Sequence, residues 1–149
     1  MSEANPRTTA KIAGHPIHPM LVPFPIAFCV GALVTDVAYS QTTNPMWANF
    51  STWLLVGGLA MAALAAVAGL TDFLGSRQIR ALRPAWLHML LNVGAVLLSA
   101  FNLLVHFRDG AAGVVPTGLT ISLIVTVLLV LSGWLGGDLV YKRRVGVAD

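Results

Sequence analysis

The chain has almost no cysteine and very little charge, and each shortage excludes something. A lone Cys29 permits no internal disulfide, so the fold is not a small stapled scaffold. Charged side chains make up 10% of the 149 residues, against about 25% in soluble domains. A water-soluble helical bundle needs a polar face on every helix, and Leu54 to Leu70 carries no charged residue at all. Signatures of catalysis are missing too: there is no C-x-x-C-H attachment sequence for a c-type haem and no Gly-rich phosphate loop following a strand. The net charge of +3 does not indicate nucleic acid, because the basic residues sit in short segments beside apolar runs.

What is present is hydrophobic, at 56% of the chain. Four apolar runs, Pro19 to Tyr39, Thr52 to Thr71, Ala85 to Val105 and Thr117 to Leu139, each have roughly the 20 residues that cross a ~30 Å hydrocarbon core. The first is too long for a secretory signal and has no obvious small-residue cleavage site, so it is expected to stay in the mature protein. The sequence therefore predicts an all-α, integral membrane four-helix bundle. Residues 1–13 read as a flexible tail, 14–141 as the transmembrane domain and 142–149 as a basic tail. Lys and Arg are asymmetric: eight lie in the two tails and the second loop, and only Arg108 lies in the first and third loops. The positive-inside rule then places both termini in the cytoplasm. Gly133 and Gly137 are the expected close-contact pair for homo-oligomerisation.

The doorway of the first run crowds four prolines and two histidines into Gly14-His-Pro-Ile-His-Pro-Met-Leu-Val-Pro-Phe-Pro-Ile26. His15 and His18 both precede a proline, which predicts an extended backbone at each and, at three residues per polyproline turn, two rings facing the same way. A regular helix is expected to begin near Pro25, leaving irregular backbone that must be covered by protein or line a wet cavity. In the third run His88, Asn92, Ser99, Asn102 and His106 fall within about 40° of one line at 100° per residue. One face of that helix is polar throughout.

Threading the topology brings His15, His18, Asp72, His88 and Asp138 to one depth on the cytoplasmic side. Intramembrane ionisable groups are costly and usually paired or functional. Histidines and carboxylates together can hold a divalent metal, and neutral imidazoles on facing helices can take haem iron from both sides. The metal set is then His15, His18, Asp72, His88 and Asp138, and the cofactor-binding set His18, His88, His15 and Asn92, with haem b ahead of a bare metal. Asp72 and Asp138 are expected to act together. Asp36 and His106 fall at the other side, where His106 reads as an interface residue. Two further classes stay open: a proton- or ion-conducting protein working through Asp36, Asn92 and His106, and a structural or assembly subunit without cofactor.

The quoted opening, with Gly69-Leu-Thr-Asp-Phe73, His88 with Asn92, and Gly136-Gly-Asp-Leu-Val-Tyr141, resembles the bacterial predicted-membrane-protein family called domain of unknown function 2231, over nearly the whole chain. That resemblance implies a four-helix inner-membrane protein, sometimes joined to cytochrome- or Rieske-type redox domains. It favours a small electron-transfer or accessory subunit with a respiratory or redox membrane partner.

Overall fold

Prolines set where the helices start. The computed structural model describes residues 5–147; the first four and last two residues of the two expected tails lie outside it. A short antiparallel pair, β1 (Lys11–Ile12) with β2 (His15–Pro16), leads into α1 (Ile17–Leu21) and α2 (Pro23–Thr42). The helix thus begins eight residues before Pro25. Pro19 is its third residue, within the first turn, where no intrahelical N–H partner is needed. His18 is therefore helical, against the expectation of an extended residue, and only His15 is extended. Pro23 and Pro25 remove the bonds to the carbonyls of Pro19 and Leu21, and α1 passes into α2 through Val22, whose N–H still reaches His18 O at 3.1 Å. Together the two form one 26-residue span.

Pro45 is likewise a helix start. Asn44 caps it by accepting from Met46 N at 3.0 Å, and α3 runs Pro45–Gly75, earlier than the expected start near Thr52. The turn α4 (Arg77–Arg80) is capped by Ser76. Arg80 donates to the carbonyls of Phe73 and Leu74 at the end of α3, and Trp86 Nε1 donates to Arg80 O at 2.9 Å. Helix α5 spans Arg83–Asp109; the short α6 (Ala111–Gly113) and a wide turn, Val114–Gly118, lead to α7 (Leu119–Gly137). A second wide turn, Asp138–Lys142, follows.

Four spans of 26 to 32 residues are long and apolar enough to cross a membrane, and an even number of crossings leaves both ends of the chain on one side. Helix α2 packs on α3, α3 on α5, α5 on α7 and α7 on α2, which closes a ring of antiparallel neighbours. Helices α2 and α5 are therefore diagonal and parallel. Their side chains meet only across the centre.

Residues 5–13 correct the reading of a flexible tail. Asp72 Oδ1 accepts from the main-chain N–H groups of Thr9 and Ala10 at 2.6 and 2.7 Å, and Thr9 Oγ1 donates to Thr71 O at 3.0 Å. Gly146 N donates to Pro6 O at 2.9 Å, which brings the two ends of the chain together. The segment is a strap across the terminal end of the bundle. A carboxylate at the end of an apolar helix needs donors, and the strap's main chain supplies them.

Candidate functional site

Three contacts between the diagonal helices share one offset. His18 meets His88, Cys29 meets Ser99 and Asp36 meets His106, each pair 70 residues apart. Parallel helices keep a constant offset along their length, and the 18 residues from His18 to Asp36, or from His88 to His106, are five turns of 3.6. Each helix thus returns the same face to the bundle axis ~27 Å further on. The polar stripe of the third run is this axial face: Ser99, Asn102 and His106 are all buried.

At the terminal end the two imidazoles lie with ring centroids 6.1 Å apart and planes at 89°. They are held in equivalent ways. His18 Nδ1 donates to Ala65 O at 2.8 Å, on α3; His88 Nδ1 donates to Ser132 O at 2.9 Å, on α7, and also lies 2.9 Å from Ser132 Oγ. One turn beyond each carbonyl stands a glycine against the same ring. A Cβ on Gly69 would lie 2.8 Å from His18 Nδ1, and one on Gly136 would lie 3.2 Å from His88 Cε1. Each hairpin therefore contributes a histidine from its first helix, with a carbonyl and a glycine from its second. This repetition is not legible as sequence similarity, because the offset is 70 between the histidines and 67 between the carbonyl and glycine pairs.

The tautomers follow from the acceptors. A main-chain carbonyl can only accept, so both Nδ1 atoms carry hydrogen, and in the neutral form of each ring the lone pair then lies on Nε2. Asn92 agrees with this on His88: its Nδ2 lies 3.3 Å from Nε2 while donating to His88 O at 2.7 Å and Ser132 Oγ at 2.6 Å.

The other expected members of the layer do not join the pair. His15 is exposed, with Nδ1 3.0 Å from Ala13 O in its own turn, because the β1–β2 pair turns it away from the ring that helical His18 presents. Asp72 is occupied by the strap, and Asp138 pairs with Lys142 one turn on, at 2.8 Å. Among the described residues no group of three or more His, Cys, Asp or Glu side chains could hold a metal ion. Of the five residues expected in the metal layer the structure brings only His18 and His88 side by side, with Asn92 against His88.

The distal end, opposite the termini, holds what sequence reasoning treated as scattered. His106 is 3% exposed, not interfacial, and Asp36 is 0% exposed. His106 Nε2 lies 3.1 Å from Asp36 Oδ1, and Nδ1 lies 2.9 Å from Asn102 O. Ser122 Oγ donates to Asp36 Oδ2 at 2.6 Å, and Asn102 Nδ2 donates to Ser122 Oγ at 2.8 Å. Asp36 within an apolar run, and Asn102 one turn from His106, are the signals that could have found this cluster. Ser122 carried none. The order of the contacts excludes a hydrolase-type triad, since the serine gives its proton to the carboxylate and does not face the imidazole.

Between the two clusters lie Ala95, Leu98, Val125, Leu128 and Leu129 around Cys29. The axis of the bundle is thus polar at both ends and, apart from the Cys29–Ser99 contact, apolar between them.

A four-helix membrane bundle with a half-buried, hairpin-repeated histidine pair at one end of its axis is the class of protein these features define. The chain belongs to the family described as predicted membrane protein, domain of unknown function 2231, whose model matches residues 14–149. No curated protein and no solved structure matches it.

Proposed function

We propose that the chain is a small electron-transfer or accessory subunit of the bacterial inner membrane, with both termini cytoplasmic, in which His18 and His88 together bind the iron of a b-type haem or, less well suited to them, a bare divalent metal ion. The observation that carries this reading is the equivalent anchoring of the two rings. A metal-bound imidazole characteristically donates its other N–H to a carbonyl or carboxylate, which fixes tautomer and orientation, and both histidines have that partner already.

The spacing fits as well. The two ring centroids are 6.1 Å apart, near enough for both histidines to reach one bound group. Two nitrogens are too few for a bare ion, which takes four or more ligands. A haem would supply most of its iron's ligands itself, so His18 and His88 would be enough to hold it, and it suits a two-histidine donor set better. When bound, the iron supplies one-electron chemistry. The chain's part is to hold the two rings side by side through their Nδ1 bonds, with Gly69 and Gly136 allowing the rings to lie against the neighbouring helices. Asn92 gives up one of its three contacts for the ligand and keeps those to His88 O and Ser132 Oγ. The apolar layer in mid-bundle weighs against a continuous polar pathway, which makes ion conduction the weaker reading.

The test is purification from native membranes in mild detergent, with absorption spectra before and after dithionite and assays for iron, copper and zinc. A Soret band lost in both His18→Ala and His88→Ala is the expected result. A colourless protein without stoichiometric metal overturns it, and favours the subunit without cofactor if deletion of the chain also depletes a partner complex.

A further inference from the structure

The distal cluster is independent of the histidine pair and has its own chemistry. From its hydrogen-bond geometry we infer that Asp36 and His106 form a proton-binding site, holding one exchangeable proton between His106 Nε2 and Asp36 Oδ1. The proton count follows from the neighbours. Asn102 O is a carbonyl and can only accept, so His106 Nδ1 bears a hydrogen. The Nε2–Oδ1 contact at 3.1 Å then needs one proton, written either as imidazolium with carboxylate or as imidazole with carboxylic acid. Both forms are neutral as a pair. Removing the proton would leave an uncompensated negative charge in a site that is almost wholly buried.

Nothing else on the packed elements can supply that charge balance. Asp72, at the other end, is the only ionisable side chain of α3, and residues 111–137 contain none. On α2 the remaining ionisable groups are Cys29, in mid-bundle, and Tyr39; on α5 the nearest are Arg108 and Asp109, both exposed. The rest of the cluster consists of aligned donors: Asn102 Nδ2 to Ser122 Oγ, and Ser122 Oγ to Asp36 Oδ2. They set the direction in which the carboxylate is polarised and leave Oδ1 for the proton.

A second observation shows that the cluster takes a further donor. Asn102 Oδ1 is buried and has no hydrogen-bond partner among the described residues. A buried amide oxygen without a donor is costly, and a water satisfies it. Its position is beside Gly118, whose added Cβ would lie 3.4 Å from Asn102 Oδ1 and 2.7 Å from His106 Cε1. Gly118 ends the wide turn Val114–Gly118, where Val115 is extended ahead of Pro116 and interrupts the helix. The break in the helix at this turn adjoins the imidazole side of the pair, and opening of the turn would give the proton a route to exchange.

The test is nuclear magnetic resonance of the full chain in lipid nanodiscs with nitrogen-15-labelled histidine, His106 being assigned among the four histidines by His106→Gln. The wild type should show a strongly downfield bridging proton on His106 Nε2 that disappears when the sample is moved to deuterated buffer. Asp36→Asn should abolish it and leave a singly protonated ring. Because that variant could fail to fold, two others keep the carboxylate. Ser122→Ala should retain the bridging proton with a changed shift, and Gly118→Ala should lose it by displacing the ring. A wild-type His106 with no bridging proton, a bridging proton that never exchanges, or a spectrum unchanged in Gly118→Ala would each overturn the inference.

Discussion

At the scale of the residue, the two clusters differ in what holds them. His18 rests on space: Gly69 is the position where any side chain meets the ring. Gly69→Ala should displace it, break the bond to Ala65 O and lower stability by about 1–3 kcal/mol, the usual cost of overpacking. Gly133, which has nothing within 4 Å of an added Cβ, is the control, and Gly133→Ala should stay within about 0.5 kcal/mol of wild type. Thermal unfolding in one detergent compares the two, and equal shifts would show that the packing around His18 yields. Asp36 and His106 rest on each other. Removing one partner of a buried pair typically costs about 3–5 kcal/mol, so Asp36→Ala and His106→Ala should each be severely destabilising. The double variant should cost clearly less than the sum of the two. Strict additivity would mean that the pair is not energetically coupled.

At the scale of the element, Asp72 anchors the strap over residues 5–13. Two main-chain donors converge on one carboxylate oxygen, and hydrogen bonds to charged groups contribute about 1.5–3 kcal/mol. Asp72→Ala should free the strap, and trypsin cleavage at Arg7 or Lys11 should accelerate about tenfold or more, since each 1.4 kcal/mol is a factor of ten. An unchanged rate would show that Gly146, Thr71 and the β1–β2 pair hold the strap without Asp72. Asp138 has a different partner, Lys142, in a largely exposed ion pair that is worth about 0–1 kcal/mol. Among the described residues Asp72 and Asp138 share no hydrogen bond or ion pair, so their alanine variants should add within about 0.5 kcal/mol, in place of the coupling expected from their common depth.

At the scale of the whole molecule, the closed ring of four helices puts residue 44, between α2 and α3, and residue 78, in the turn between α3 and α5, at opposite ends of the bundle. Single cysteines introduced there, in a Cys29→Ala background, should react exclusively with a membrane-impermeant reagent: one position from outside the cell, the other only after lysis. Reaction of both from one side would contradict four crossings. With cytoplasmic termini, residue 44 is the externally labelled position.

Span number, helical class and the polar face of the third run were legible from sequence because they depend on composition and on a 3.6-residue period, which are local properties. Proline positions were legible but their meaning was not. The first helix was expected to begin near Pro25 and begins at Ile17, with Pro19 in its first turn, a matter of where the preceding chain is anchored. Depth along the membrane brought His18 and His88 to one level correctly, and brought His15, Asp72 and Asp138 there too, because threading gives height and not azimuth. Only the closed ring decides which residues face the axis. It makes α2 and α5 diagonal and parallel, so that a constant offset of 70 residues joins His18 to His88 and Asp36 to His106, and it leaves Asp72 to the strap and Asp138 to Lys142 at the rim.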